Sequence, residues 1–163
     1  MTAVLGVDPG HKETGVTLVS SLEGVVWFDV IERADAEWRD YLDAVVDSVA
    51  KVRDLLDLVA IEDVKPPSAF MGGRRQFVSF APLLGTARVL GAVEGFCIAR
   101  GLPTTVVAPG KNGSAPLVYY RQRCPALVGP RERTGTSALL RHARSAFDVA
   151  AQALVAATLT SPR

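Results

Sequence analysis

Cysteine is scarce in this sequence: Cys97 and Cys124 are the only two among 163 residues, and neither sits in a CxxC or CxxH pattern. That argues against a disulfide-stapled scaffold, a zinc site and a thiol nucleophile, and for two free thiols in a reducing compartment. No apolar run reaches the roughly 18 residues that a bilayer span needs. The opening MTAVLGVDPG lacks the basic-then-apolar order of a secretory signal, so no membrane association and a cytoplasmic location are expected. Internal repeats, low-complexity tracts and inter-domain linkers are also missing, and the length suits a single domain over residues 1–163. Acidic side chains are rare late in the chain. Residues 64–163 hold 3 against 13 basic ones, whereas residues 1–63 hold 14 against 5. A net charge of +1 therefore hides a strong asymmetry, which predicts a basic surface for an anionic polymer. Lys111, Arg121, Arg123, Arg131 and Arg133 lie in Gly- and Pro-punctuated sequence beside Tyr119 and Tyr120. Guanidinium groups mixed with aromatics suit phosphate contact and base stacking.

Hydrophobic residues, at 48%, are ample for a core. Residues 4–8, 15–20 and 25–31 read as strands joined by short turns, hence an antiparallel meander. Trp38, Leu42, Val45, Val49, Val52 and Leu56 recur at steps of three and four and predict a helix covering one sheet face. Residues 58–61 form a buried strand parallel to the first, because a helix carries the chain across. Residues 64–76 are irregular. A long helix over residues 77–100 follows, with Pro82 as a candidate for its first turn. Residues 104–107 form another strand, residues 117–123 a short helix, and residues 136–158 a last helix. Small residues at 143, 146, 150, 153 and 157 would let that last helix pack closely on the sheet.

Three acids occupy telling places. Asp8 ends the first strand, Glu62 ends the strand after the first crossover, and Asp148 lies in the last helix, off its alanine seam. Adjacent parallel strands would deliver Asp8 and Glu62 to one sheet edge, and a terminal helix could bring Asp148 there. Clustered carboxylates repel, and hard divalent cations such as magnesium relieve that repulsion. Two metals about 4 Å apart can activate water and stabilise the leaving oxygen of a phosphodiester.

These residues carry a resemblance. VLGVDPGHKETGVTLV resembles the first hairpin of the RuvC Holliday-junction resolvases, in which an apolar strand ends in Asp-Pro-Gly and a Thr-Gly pair opens the next. VAIEDV resembles the family's second acidic strand, and SAFDVAAQAL its closing helix. The three blocks stand in order over nearly the whole chain. The resemblance implies an α/β, RNase H-like fold with a mixed five-stranded sheet flanked by helices. It implies a magnesium-dependent endonuclease, with manganese able to substitute, that cuts branched DNA and leaves a 5′-phosphate and a 3′-hydroxyl. The expected setting is a bacterial nucleoid or the cytoplasm of a phage-infected host. Asp8, Glu62 and Asp148 match the metal ligands.

Two departures stand out. Three residues before Asp148 the family usually has a ligand-type side chain, and here stands Ser145, with His142 three further back. A register in which His142 and Ser145 form the family's pair is the alternative to one completed by Asp148. An ideal helix sets Asp148 about 60° from Ser145 and about 120° from His142, so the three are not expected on one metal. After Glu62, where the family places an aromatic wedge, Asp63-Val64-Lys65 follow. Lys65 is then a candidate for contact at the scissile phosphate and Phe70 for the wedge. Lys12, Arg74 and Arg75 join the expected DNA contacts.

Asp8-x-Gly10 with Thr14-Gly15 also resembles the phosphate hairpin of actin-like ATPases. Those proteins need a second hairpin and lobe that this sequence lacks, so no nucleotide cofactor is expected. A junction-binding module without catalysis, and a broader nuclease cutting forks, flaps or single strands, remain open. A homodimer is expected through the helix over residues 77–100, where Gly85, Gly91 and Gly95 interrupt an apolar circumference too wide for one contact.

Overall fold

Alternation along the strands decides which layer each early residue meets. The computed structural model describes residues 2–64, 80–130, 132 and 140–160. β1 (Ala3–Asp8), β2 (Glu13–Ser20) and β3 (Gly24–Glu32) form the antiparallel meander. α1 (Trp38–Lys51) crosses to β4 (Leu58–Glu62), which pairs parallel with β1. α2 (Ala81–Arg100) leads to β5 (Thr104–Val107), parallel to β4. α3 (Leu117–Arg123) and α4 (Arg141–Thr160) follow. The sheet order is β3-β2-β1-β4-β5, the mixed five-stranded sheet that the sequence predicts.

Two boundaries differ from the sequence reading. The stripe that runs on to Leu56 is not one helix: α1 stops at Lys51, and a 3-10 turn over Arg53–Leu55 takes over. The i→i+3 bonds Leu55 N–H to Val52 O and Leu56 N–H to Arg53 O wind this turn more tightly and still bring Leu56 onto the core. α2 begins at Ala81 with Pro82 in its first turn, where a missing N–H costs nothing.

Odd residues of β1 (Ala3, Leu5, Val7) pack with Val59 and Ile61 against Tyr41, Val45 and Val49 of α1 and Val89, Val93 and Cys97 of α2. Val4, Val19 and Ala60 face the other way, onto α3 and α4. By length and composition α2 is apolar enough to cross a membrane. One side of it is nevertheless the buried stripe Gly85, Val89, Val93 and Cys97, packed as a core helix. Both cysteines are buried thiols, pushed by burial up to about 11 at Cys97 and about 12 at Cys124, far from thiolate chemistry.

The fit of α4 on the sheet fixes everything at the site. A methyl on Gly6 would run into the carbonyl of Ala146 and lie 2.8 Å from the nitrogen of Ala150. One on Gly15 would run into the carbonyl of His142 and lie 2.7 Å from the nitrogen of Ala143. The helix backbone thus lies directly on β1 and β2, matched by its buried alanines 143, 146, 150 and 153. Thr17 Oγ1 donates to the Ala143 carbonyl at 2.8 Å and pins the register. Behind α4, the fully buried Arg144 donates through Nη1 to both carboxylate oxygens of Glu132, at 3.1 and 3.0 Å, and to Leu127 O.

Candidate active site

The even positions of β1 and β4 point toward α4, so Asp8 follows Val4 and Gly6, and Glu62 follows Ala60, onto that side of the sheet. The parallel register pairs Val7 with Ile61, which sets the next residues, Asp8 and Glu62, side by side where both strands end. Glu13 opens β2 at the same end. Over them passes the start of α4, carrying His142 and Ser145.

His142 Nδ1 lies 2.7 Å from Asp8 Oδ2, and its Nε2 lies 3.4 Å from Glu13 Oε2. The hydrogen bond to Asp8 raises the imidazole pKa; burial opposes the rise, and the charges of Asp8 and Glu13 reinforce it. Glu62 accepts from Gly110 N–H at 3.2 Å and Asn112 Nδ2 at 3.0 Å on one oxygen, and from Ser145 Oγ at 3.2 Å on the other. Burial and the Asp8 charge push the Glu62 pKa up, while Gly110 and Asn112 hold it back. Asn112 is itself oriented: its Oδ1 accepts from Gln152 Nε2 at 2.9 Å, and Gln152 also donates to the Asp148 carbonyl at 3.3 Å.

Asp148 stands apart from this group. Its Oδ2 accepts from Gly113 N–H at 2.8 Å and Tyr120 Oη at 2.7 Å, which turns the carboxylate toward α3 and the loop before it. Burial raises its pKa, and those two donors, with Arg123 and Arg144, counter the rise. Asp8, Glu62, His142 and Ser145 are therefore brought together, and Asp148 is not among them. The sequence puts Asp148 with Asp8 and Glu62 and leaves His142 with Ser145 as the alternative; in the structure His142 and Ser145 contact the two strand carboxylates, and Asp148 contacts Gly113 and Tyr120.

No protein-family model and no curated protein match the chain. Among solved structures, T. thermophilus RuvC in complex with a Holliday junction substrate superimposes with a TM-score of 0.69 at 19% identity, covering 98% of this chain and 97% of that one. A second Thermus thermophilus RuvC structure gives 0.65 at 18% identity, over 97% and 96%. This chain has the RuvC-like, RNase H-type fold.

Within the RuvC-like fold the expected DNA contacts divide. Lys12 and Lys111 are exposed, and Arg123 lies 4.8 Å from the centroid of the Tyr119 ring, an exposed cation on an aromatic. Arg121 donates to the Glu132 carbonyl at 3.1 Å and so also braces the chain. Tyr120 is a correction: it is fully buried against Phe147 and bonded to Asp148, with no face left for a base. Lys65, Phe70, Arg74, Arg75, Arg131 and Arg133 lie outside the described residues.

Glu13, Gly110 and Asn112 were missed in the sequence. Glu13 had a signal, since strand alternation from Gly15 puts it on the α4 side. Gly110 and Asn112 had none, because they reach Glu62 from an irregular loop across a separation of about fifty residues.

The donor set fits a hard divalent cation. Asp8 and Glu62 are adjacent carboxylates, and the Asp8 charge works against ionisation of Glu62, a conflict that a hard cation removes. Among the described residues no three His, Cys, Asp or Glu side chains form a ready-made cage. Two carboxylates with open positions left for water and phosphate match what magnesium takes, since it keeps several waters.

Proposed function

We propose that this protein is a metal-dependent endonuclease that resolves branched DNA, four-way junctions above all, by paired phosphodiester hydrolysis. One observation carries the reading. Asp8 and Glu62 end two adjacent parallel strands and meet His142 and Ser145 of α4, in a fold that follows RuvC along nearly its whole length. One matched structure is RuvC in complex with a Holliday junction substrate, which is where branched DNA enters as the substrate class.

Magnesium, or manganese in its place, would be held by Asp8 and Glu62 and would supply an activated water and charge neutralisation at the phosphate. The chain's own groups prepare that chemistry. Gly110, Asn112 and Ser145 fix both oxygens of Glu62, so the carboxylate needs no reorientation. His142 holds Asp8 through Nδ1 and faces Glu13 through Nε2, keeping a proton beside the carboxylates. Exposed cations such as Lys12, Lys111 and Arg123 position the backbone by displacing counterions. The products are a 5′-phosphate and a 3′-hydroxyl, no nucleotide cofactor takes part, and the setting is cytoplasmic. Two symmetric nicks call for a homodimer. The exposed Leu84 and Ile98 of α2, with Gly91 and Gly95 facing open space, offer the surface.

A second reading rests on Ser145. A hydroxyl where the family has a ligand-type side chain is what a junction-binding module without catalysis would carry. A cleavage panel with pure protein and magnesium decides, comparing a four-way junction, a fork, a flap, a duplex and a single strand. Paired symmetric nicks in the junction support the resolvase. Equal cutting of every substrate makes it a general nuclease, and tight binding without cutting makes it the binding module.

A further inference from the structure

A cationic cleft lies on the other side of the turn that follows Asp8. The ends of four elements meet there: the β1–β2 turn with His11, Arg33 after β3, Trp38 at the start of α1, and Gly85 and Arg88 on α2. The hollow is open and measures roughly 370 Å³. Trp38 forms a platform, with the Arg33 guanidinium carbon 4.7 Å and that of Arg88 5.2 Å from its ring centroid. Gly85 permits this closeness, since a methyl there would stand 2.6 Å from His11 Cβ and 2.7 Å from Trp38 Cη2.

Three observations make this more than a packed tryptophan. First, neither guanidinium has a carboxylate partner among the described residues, although residues 1–63, which supply Arg33, hold 14 acids. Second, Arg33 Nε is shut off from solvent with no hydrogen-bond partner. A buried donor left without an acceptor is costly. Third, the local field is positive. The His11 pKa is lowered by burial and then by Lys12 and Arg33. Two like charges held against one ring repel. An anion with several acceptor oxygens, set between the two guanidinium groups, would offset both charges, and a small turn of the Arg33 side chain would bring the orphaned N–H to it.

The cleft and the carboxylate site share the turn that follows Asp8. The Tyr41 hydroxyl donates to Gly10 O in the same turn, and it feels the charges of Arg33, Glu13 and Asp8 together. His11, which lines the cleft, stands three residues after Asp8, at most about 11 Å along the chain, so a DNA strand with one phosphate at Asp8 and Glu62 is within reach of the cleft with a nearby one. We propose that Arg33 and Arg88, stacked on Trp38, form a subsite for a DNA backbone phosphate flanking the one at the carboxylates. This rests on the branched-DNA reading above.

The test measures affinity for a labelled four-way junction, without divalent metal, from about 50 to 200 mM salt. Arg88→Gln and Arg33→Gln are each compared with wild type. Arg100→Gln serves as control, since it removes a charge on the same helix, where Arg100 stacks on Phe96. Arg88 is exposed, so its variant should fold like wild type. Arg33→Lys keeps the charge should Arg33→Gln unfold. The double Arg33→Gln, Arg88→Gln variant should bind about tenfold more weakly and lower the salt slope by about one, with each single in between. Arg33→Lys should keep most of the slope, and Arg100→Gln should leave it unchanged. If wild type binds steeply and the double variant matches it, the subsite is wrong while the DNA reading stands. If Arg100→Gln loses as much as Arg88→Gln, only net charge is at work and the subsite is again wrong. A wild type that shows no salt-dependent junction binding removes the reading beneath it.

Discussion

Exchanging Gln152 for glutamate replaces one NH2 group by oxygen on an exposed helix position, yet it should weaken the metal site a whole relay away. The relay has fixed polarity because both ends only accept: the Glu62 carboxylate at one, the Asp148 main-chain carbonyl at the other. Asn112 must present its NH2 to Glu62, at 3.0 Å, and its oxygen to the NH2 of Gln152, at 2.9 Å. A carboxylate introduced at 152 repels that oxygen and invites Asn112 to flip. Glu62 then loses one of its three donors and faces an amide oxygen instead. A hydrogen bond to a charged group is worth about 1.5–3 kcal/mol, and the partly exposed Glu62 calls for the lower figure, close to a factor of ten. That agrees with the roughly 10–100-fold losses in metal affinity typical of groups that orient ligands. The assay is the magnesium concentration for half-maximal cleavage, with manganese binding followed by electron paramagnetic resonance as a readout free of turnover. Gln152→Glu and Asn112→Ala should each weaken metal binding about tenfold, the double no further, and Gln152→Ala much less, since water can replace the lost donor. Unchanged metal affinity in Gln152→Glu, or fully additive losses in the double, would refute the relay.

Asp8→Asn should abolish cleavage in magnesium while junction binding holds or tightens, because a charge that repels phosphate is gone; gel shift and cleavage on one substrate check both. Asp148→Asn should keep measurable cleavage and lower the melting temperature, since Asp148 ties Gly113 and Tyr120 to α4; an inactive but fully stable variant would return Asp148 to the ligand set. Glu132→Ala removes the carboxylate that the buried Arg144 guanidinium binds and should cost about 3–5 kcal/mol in urea unfolding. Sedimentation at micromolar concentration should find a dimer that a charged residue at Leu84 or Gly91 splits; a monomer that stays monomeric on a junction would remove the paired nicks.

The strand carboxylates were legible because a strand has few ways to be wrong. Once residues 4–8 and 58–61 are strands joined by a helical crossover, period two and a parallel register deliver Asp8 and Glu62 to one edge and one face. The helix contribution was not legible in the same way. His142, Ser145 and Asp148 all lie within two turns of α4, and which of them looks down on the carboxylates depends on how the helix is rotated about its axis. That rotation is set by contacts far off in sequence: Gly6 against Ala146 and Ala150, Gly15 against His142 and Ala143, and Thr17 on the Ala143 carbonyl. Tyr120 failed for a related reason. Its neighbour Tyr119 lines the open cleft beside Asn112, while one step of helix turns Tyr120 into the core, and a short segment has too little periodicity to tell them apart. The glycines held the missing information. A glycine inside a strand marks a place where another backbone comes close. Gly6 and Gly15 lie on the face opposite Val7 and Val16, so the alanine seam of the last helix has to lie on them. With Ala143 and Ala146 fixed there, His142 and Ser145 follow toward the strand ends, and Asp148 is carried round to the flank that α3 covers.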